Sequence, residues 1–183
     1  MRSNKKCFGI FFFFIFHQIS CNEELNETEE YQIITEILNH SYSYETDMEN
    51  GLGWVDSSKS YNALRVLNHT NLIKSDIETL RGYLNFNNLS EFSVEELQIY
   101  REWDIKKIEG YTRFQLETDY DKKEDSNYIG TIQFSSISLN QDLDKAIIYT
   151  SFYCGGECGE GLVFHFSKTD KWKIEKVEIL WVS

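Results

Sequence analysis

Two cysteines near the C-terminus have the residue type and spacing that could support chemistry. Cys154 and Cys158 lie in the sequence CGGECGEG, between two aromatic-rich runs that are typical of strands. Paired cysteines can form a disulfide, carry out thiol–disulfide exchange or bind a metal. The spacing Cys-x-x-x-Cys differs from the Cys-x-x-Cys of thioredoxin-like enzymes, and no βαβ pattern surrounds it. In an exported protein we therefore expect a Cys154–Cys158 disulfide that fixes the turn, with free thiols as the alternative.

Other residues that could act in catalysis or metal binding do not form a complete set. His165 could join the two thiols around a metal, but a fourth ligand is not evident from the sequence. His40 and His69 have no nucleophile and carboxylate at a spacing typical of a catalytic triad. The acidic run from Asp119 to Asp125 lacks the glycine and the ligand order of an EF-hand loop. We predict no catalytic residue, no metal site and no cofactor.

The first 20 residues have the layout of a secretory signal. A basic start precedes an apolar run from Phe8 to Phe16, which is too short to span a bilayer stably. The sequence Gln18-Ile19-Ser20-Cys21 resembles a bacterial lipobox, in which the cysteine is lipid-modified and becomes the new N-terminus. This reading predicts a signal peptide over residues 1–20, lipidation of Cys21 and an acidic tether over residues 21–28. An ordinary signal peptide that releases a secreted protein is the alternative.

The charge balance limits the kinds of partner. The chain has 18 basic and 30 acidic residues, a formal net charge of -12. Nucleic acids and anionic lipid surfaces both require basic patches, so the acidic balance argues against either as a direct partner. Acyl chains hold a protein at a membrane by hydrocarbon burial, which needs no basic patch. We expect a lipid-anchored protein of the bacterial cell envelope, at the outer membrane or the cell surface, that binds no nucleic acid.

Helical signals come first along the mature chain. Apolar residues at helical spacing predict a helix over residues 29–39 and a second one over residues 58–68. The capping boxes Ser75-x-x-Glu78 and Ser93-x-x-Glu96 predict two more helices. Ile77, Leu80 and Leu84 would form one apolar face of the first, and the second would end near Lys107.

Beyond Gly110 the apolar pattern changes from helical to alternating. Turns as short as those between the alternating runs require antiparallel neighbours. Helices followed by an antiparallel meander of about five strands predict one α+β domain over residues 29–183, for which the nuclear-transport-factor-2-like fold is a candidate. The five predicted strands cover residues 111–116, 129–139, 145–153, 161–168 and 172–182.

Several short motifs recur in order through the C-terminal third. A strand over Ala146–Tyr149 precedes the turn Cys-Gly-x-x-Cys-Gly-x-Gly over residues 154–161, and Lys171–Ile174 begins a strand that ends in Trp181–Ser183. This order, with its Lys-Trp-Lys-Ile strand and Trp-x-Ser end, resembles a family of uncharacterised bacterial lipoproteins. The resemblance covers about residues 130–183. It implies a compact α+β domain in the cell envelope and brings no known activity.

These observations favour a non-enzymatic domain that is anchored at a membrane and binds a protein or a small ligand. A small hydrolase or isomerase with a pocket between its helices and a curved sheet is the first alternative. An immunity-type partner of a basic protein is the second alternative, because it fits the acidic charge. The tyrosine-rich and acidic segment His40–Asp56 has no clear period and is a further place for a site.

Overall fold

The computed structural model describes residues 25–41, 63–70, 72–111, 115–118, 128–155 and 158–183. The predicted signal peptide, the predicted lipidation site Cys21 and most of the segment His40–Asp56 lie outside these residues. Among the helices that the structure does describe, none has the length and apolar character to cross a membrane.

The architecture is α+β, a mixed six-stranded sheet with a few helices. The sheet has the order β2-β1-β3-β4-β5-β6, in which β3 to β6 are antiparallel neighbours and β1 lies parallel to both β2 and β3. These labels denote α1 (Glu27–Ser41), β1 (Ala63–Val66), α2 (Lys74–Phe86), α3 (Val94–Leu97), a 3₁₀ turn (Ile105–Lys107), β2 (Gln115–Glu117), β3 (Tyr128–Leu139), β4 (Lys145–Gly155), β5 (Cys158–Lys168) and β6 (Trp172–Val182).

Helices cover both faces of the sheet. Successive strand residues point to opposite faces, so the neighbours Ile147 and Ile148 of β4 enter two separate apolar clusters. Ile148 packs in the cluster that contains Ile34 and Ile37 of α1, and we call this side the α1 face. Ile147 packs in the cluster that contains Leu80 of α2, and we call that side the α2 face.

The N-terminal helix follows its prediction closely. It spans Glu27–Ser41 against the predicted 29–39, and the side chain of Asn26 accepts a hydrogen bond from the Glu29 backbone N–H at 3.1 Å. This bond satisfies one of the N–H groups that have no partner within the first turn of a helix.

The Ser75 capping box is wrong, although the buried face of α2 is confirmed. The helix begins at Lys74, and the preceding residue Ile73 has no side chain that can cap it. Leu80 and Leu84 are buried as the apolar spacing predicts.

The Ser93 cap is confirmed, but the helix behind it is short. The Ser93 hydroxyl accepts a hydrogen bond from the Glu96 backbone N–H at 3.3 Å, and α3 ends at Leu97 instead of near Lys107. Beyond α3, backbone bonds from Thr70 to Arg101 at 3.0 Å and from Trp103 to Asn68 at 2.6 Å join this segment to the chain that leaves β1. Tertiary pairing therefore replaces the predicted helix.

Two predictions about the sheet are wrong. Residues 58–68 are not a helix where the structure describes them, because Ala63–Val66 forms β1. This strand lies between two parallel neighbours and is buried, so its apolar run lacks the alternation that marks a half-exposed strand. The predicted five-stranded meander has four antiparallel members, since β2 pairs with β1 in parallel and not with β3.

Candidate functional site

The glycine-rich hairpin joins β4 to β5 at one end of the sheet. The Cα atoms of Cys154 and Cys158 are 5.4 Å apart and the sulfurs are at bonding distance, which is compatible with the predicted disulfide. His165 lies farther along β5, opposite Ile147, whereas Cys158 is opposite Gly155. The structure therefore separates His165 from the cysteines. Within the described ranges, no group of three His, Cys, Asp or Glu side chains could hold a metal.

His165 instead belongs to a polar cluster beneath α2. The Tyr83 hydroxyl lies 2.7 Å from Nε2 of His165, and it donates a short hydrogen bond to Oε2 of Glu178. Nε2 of His165 is 3.4 Å from the same carboxylate oxygen, and Nζ of Lys176 is 2.8 Å from the other one. We call Tyr83, His165 and Glu178 the tyrosine clamp, because they join one helix to two neighbouring strands.

Burial sets the electrostatics of the tyrosine clamp. It lowers the pKa of His165, against the opposing charge of Glu178, so the imidazole is neutral near pH 7. It raises the pKa of Tyr83, and the bond to Glu178 raises it further. Burial alone would raise the pKa of Glu178, but hydrogen bonds from Lys176 and Tyr83 outweigh it and bring that pKa below its usual value.

The protonation states fix the direction of the hydrogen bonds. The Tyr83 hydroxyl donates its proton to the Glu178 carboxylate, so the hydroxyl oxygen accepts a hydrogen bond from Nε2–H of a neutral His165. Nδ1 is then the unprotonated nitrogen of the imidazole. Such a trio can hold or move a proton. A groove of about 480 Å³ opens elsewhere, between α1 and the 3₁₀ turn. The geometry favours a link between α2 and the sheet.

A second polar chain joins α2 to the sheet nearer the hairpin. Nε1 of Trp181 donates to the Tyr149 hydroxyl at 2.9 Å, and this hydroxyl donates to Oδ1 of Asp76 at 3.0 Å. Tyr149 and Asp76 are both buried. Burial raises the pKa of Tyr149, so its hydroxyl stays protonated and acts as a donor. We call these three residues the tryptophan clamp.

Two glycines of β5 leave room for the tryptophan clamp. Gly161 pairs with Trp181, and a Cβ at Gly161 would overlap the indole ring. Gly159 is close to the same ring, and Tyr153 lies against it with ring centroids 5.7 Å apart. Gly159 and Gly161 therefore serve the packing of Trp181 on the sheet.

Both clamps hold strand β6, which is the last strand of the sheet. On the α1 face, Trp172, Ile174 and Val177 pack in the apolar cluster. No strand within the described ranges pairs with the outer edge of β6. Near the hairpin end, Ile179 is 64% exposed and Val182 is 62% exposed. β6 thus has side chains packed on both faces, no strand partner at its outer edge among the described residues, and exposed apolar side chains near one end.

Sequence reasoning missed the clamp residues on α2. Asp76, Leu80 and Tyr83 follow the i, i+4, i+7 spacing of one helix face, which is the signal that could have identified them. The histidines that it considered are kept apart. His40 contacts Phe164 edge-to-face with ring centroids 6.1 Å apart, whereas Nδ1 of His69 is 3.0 Å from the Asn68 side chain.

The acidic run Asp119–Asp125 lies outside the described residues.

Comparisons of the chain with protein-family models, with curated proteins and with solved structures found no match.

Proposed function

We propose that this chain is an exported, lipid-anchored domain of the bacterial cell envelope that binds a polypeptide partner along the outer edge of β6. One observation carries the binding role. An 11-residue strand is supported on both faces, pairs on one side only among the described residues and exposes Ile179 and Val182. The signal-like residues 1–20, Cys21 and the resemblance to bacterial lipoproteins support the location.

Edge strands bind other chains through their backbone. A row of N–H and C=O groups without partners is a template for an added strand, and side chains on alternate positions give the pairing its specificity. Lys173 and Lys176 are exposed on β6. Charged side chains on an edge discourage indiscriminate pairing. We therefore expect a partner whose charges are complementary to the charges along this strand.

The two clamps prepare β6 for binding. Tyr83 holds Glu178, and Tyr149, which is bonded to Asp76 of α2, holds Trp181, so the C-terminal half of the strand is joined to α2 at two points. A binding strand that is already ordered loses less conformational entropy when its partner arrives. The polar clusters thus have a role in binding without being catalytic.

Photocrosslinking in cells tests this proposal. A photoreactive amino acid is placed at Ile179 of the full-length chain, and a matched control is placed at Phe86, which is 86% exposed on α2. We expect a discrete adduct from position 179 that is missing from position 86. Equal labelling at both positions, or none at position 179, would refute binding along β6.

The location has its own test. Replacement Cys21→Ser removes the proposed lipidation site and should abolish incorporation of labelled palmitate into the full-length chain. It should also release the protein from the membrane fraction. Labelling that persists in this variant would contradict the anchor at Cys21.

The tyrosine clamp favours a hydrolase or isomerase as a second candidate, because it contains a neutral imidazole beside a tyrosine and a carboxylate. The nuclear-transport-factor-2-like fold belongs with this reading, which requires a pocket between helices and sheet. On the α1 face the described residues fill that space with buried apolar side chains. Turnover that is lost in His165→Gln would support this candidate over the binding role.

The immunity-type role has less support at the edge. Along β6, Lys173 and Lys176 alternate with Glu175 and Glu178, so the strand itself has no acidic excess that would favour a basic partner.

A further inference from the structure

We propose that the partner of β6 is a second copy of this chain. The two β6 strands would pair antiparallel about a two-fold axis at Val177 and join two six-stranded sheets. This inference rests on the proposed binding along β6 and names its occupant. It follows from the order of charges and faces along four residues.

Those four residues form the regular part of the strand. Residues 176–179 pair one-to-one with residues 162–165 of β5, and the register shifts on either side of them. Lys176 and Glu178 lie on the α2 face, and Nζ of Lys176 is 2.8 Å from Oε1 of Glu178. Val177 packs in the cluster of the α1 face, and Ile179 points to the same side because strand residues alternate.

Alternation removes half of the possible registers between two copies. Directly opposed residues in an antiparallel pair point to the same face of the sheet. A shift by one residue would place Val177 opposite a charged residue of the other face, so such registers are excluded. Only registers that pair residues of the same face remain.

Charge then selects one of the remaining registers. A pairing centred on Lys176 sets this lysine opposite its own copy, and a pairing centred on Glu178 sets two carboxylates opposite each other. Like charges that are directly opposed destabilise a sheet. The pairing centred on Val177 sets Lys176 of each chain opposite Glu178 of its partner, and it does so twice. β6 is therefore complementary to itself in this register alone among the three.

The surrounding contacts are compatible with this exchange. Oε2 of Glu178 is held by Tyr83, whereas Oε1 has a polar contact with Lys176 alone among the described residues, so a lysine of the second chain can take that position. Lys176 has a side chain that is 59% exposed and can reach across the edge. Exposed Ile179 would lie diagonally beside the partner's Val177. This contact would bury apolar surface of Ile179 that is exposed to water in the single chain.

Charge reversal tests the pairing. The full-length chain is purified in detergent, and its dimerisation is measured by sedimentation for the unchanged chain, for Lys176→Glu and for Glu178→Lys. In either variant two attractive pairs become repulsive, so we expect homodimers to weaken by about tenfold or more. Mixing the two variants recreates opposite charges at both positions and should restore dimerisation. Circular dichroism of each variant checks that the fold is retained.

Single cysteines test the register. A residue on the two-fold axis lies opposite its own copy, with Cα atoms about 4.5–5.5 Å apart, which a disulfide can span. Val177→Cys should therefore form a disulfide-linked dimer under oxidation. Ile179→Cys is the control, because its copy would lie about 13 Å away along the strand. The unchanged full-length chain controls for its natural cysteines.

The possible results separate this inference from the proposed function. Crosslinking at Val177 alone, with restored dimerisation in the mixture, would support the second copy. A monomeric chain whose Ile179 photoadduct contains a different protein would overturn the second copy and leave binding along β6 intact. A dimer that tolerates both charge reversals, or that crosslinks at Ile179, would place the interface elsewhere. A monomer without any adduct would refute both.

Discussion

The Tyr83 hydroxyl lies 2.7 Å from Nε2 of His165, although 82 residues separate them in the chain. Tyr83 belongs to α2 and His165 to β5, and the same hydroxyl also reaches Glu178 on β6. One side chain therefore joins a helix to two strands at the edge of the sheet. This arrangement makes the position of β6 depend on a polar group that is partly buried, where the loss of a hydrogen-bond partner is costly.

Replacing this hydroxyl should weaken the fold. In Tyr83→Phe, Glu178 and His165 lose a hydrogen-bond partner while the ring remains. We expect the free energy of unfolding to fall by about 1–2 kcal/mol, measured by urea denaturation. Tyr100→Phe is the matched control, because Tyr100 is 66% exposed and its ring contact with His69 is kept. Equal effects of the two changes would mean that the tyrosine clamp contributes little to stability.

The tyrosine clamp should also make stability depend on pH. Folding lowers the pKa of His165 below its ordinary value of 6.5. In the pH window between the lowered pKa of the folded chain and 6.5, the unfolded chain therefore binds more protons than the folded chain. The free energy of unfolding should therefore decrease as pH falls through this window. The lowered pKa of Glu178 adds stability that is present above its ordinary value of 4.5 and is lost below it.

The two windows allow His165 to be tested separately. In His165→Gln the decrease in stability between about pH 7.5 and about pH 5.5 should become smaller, whereas the loss at more acidic pH should remain. Chemical denaturation at several pH values measures both. An unchanged slope near pH 6 would show that His165 titrates alike in the folded and unfolded chain.

Strand boundaries near the C-terminus could be predicted because their signals are local. Residues 172–182 form β6 as predicted, since a short turn precedes a run of strand-forming residues. β1 could not be predicted, because a strand that is buried between two parallel neighbours does not alternate between apolar and polar residues. The cysteine pair is visible as a motif, but the clamps are not. Glu178 is 95 residues from Tyr83, and no local spacing relates them.

The proposed Cys154–Cys158 disulfide has a direct chemical test. Intact mass of the oxidised protein should increase by two hydrogens after treatment with a reductant. The bond closes a short loop, so reduction should cost less than the about 3 kcal/mol expected for a 15-residue loop. An unchanged mass would refute the bridge. A larger loss of stability would mean that the hairpin supports the packing of Tyr153 and Trp181.

Packing between Gly161 and Trp181 yields the last prediction. A methyl group at position 161 would overlap the indole, whose Nε1 also donates to Tyr149 at 2.9 Å. Gly161→Ala should therefore lower the free energy of unfolding by about 1–3 kcal/mol, because the ring must leave its place on the sheet.

Gly82→Ala is the matched control, since open space surrounds this exposed glycine of α2. That change should stabilise the protein by about 0.5–1 kcal/mol, because alanine favours a helix over glycine. Urea denaturation compares the two, and the tryptophan fluorescence of the protein should shift toward longer wavelength only in Gly161→Ala. A stable Gly161→Ala with unchanged fluorescence would show that the indole does not lie over this strand.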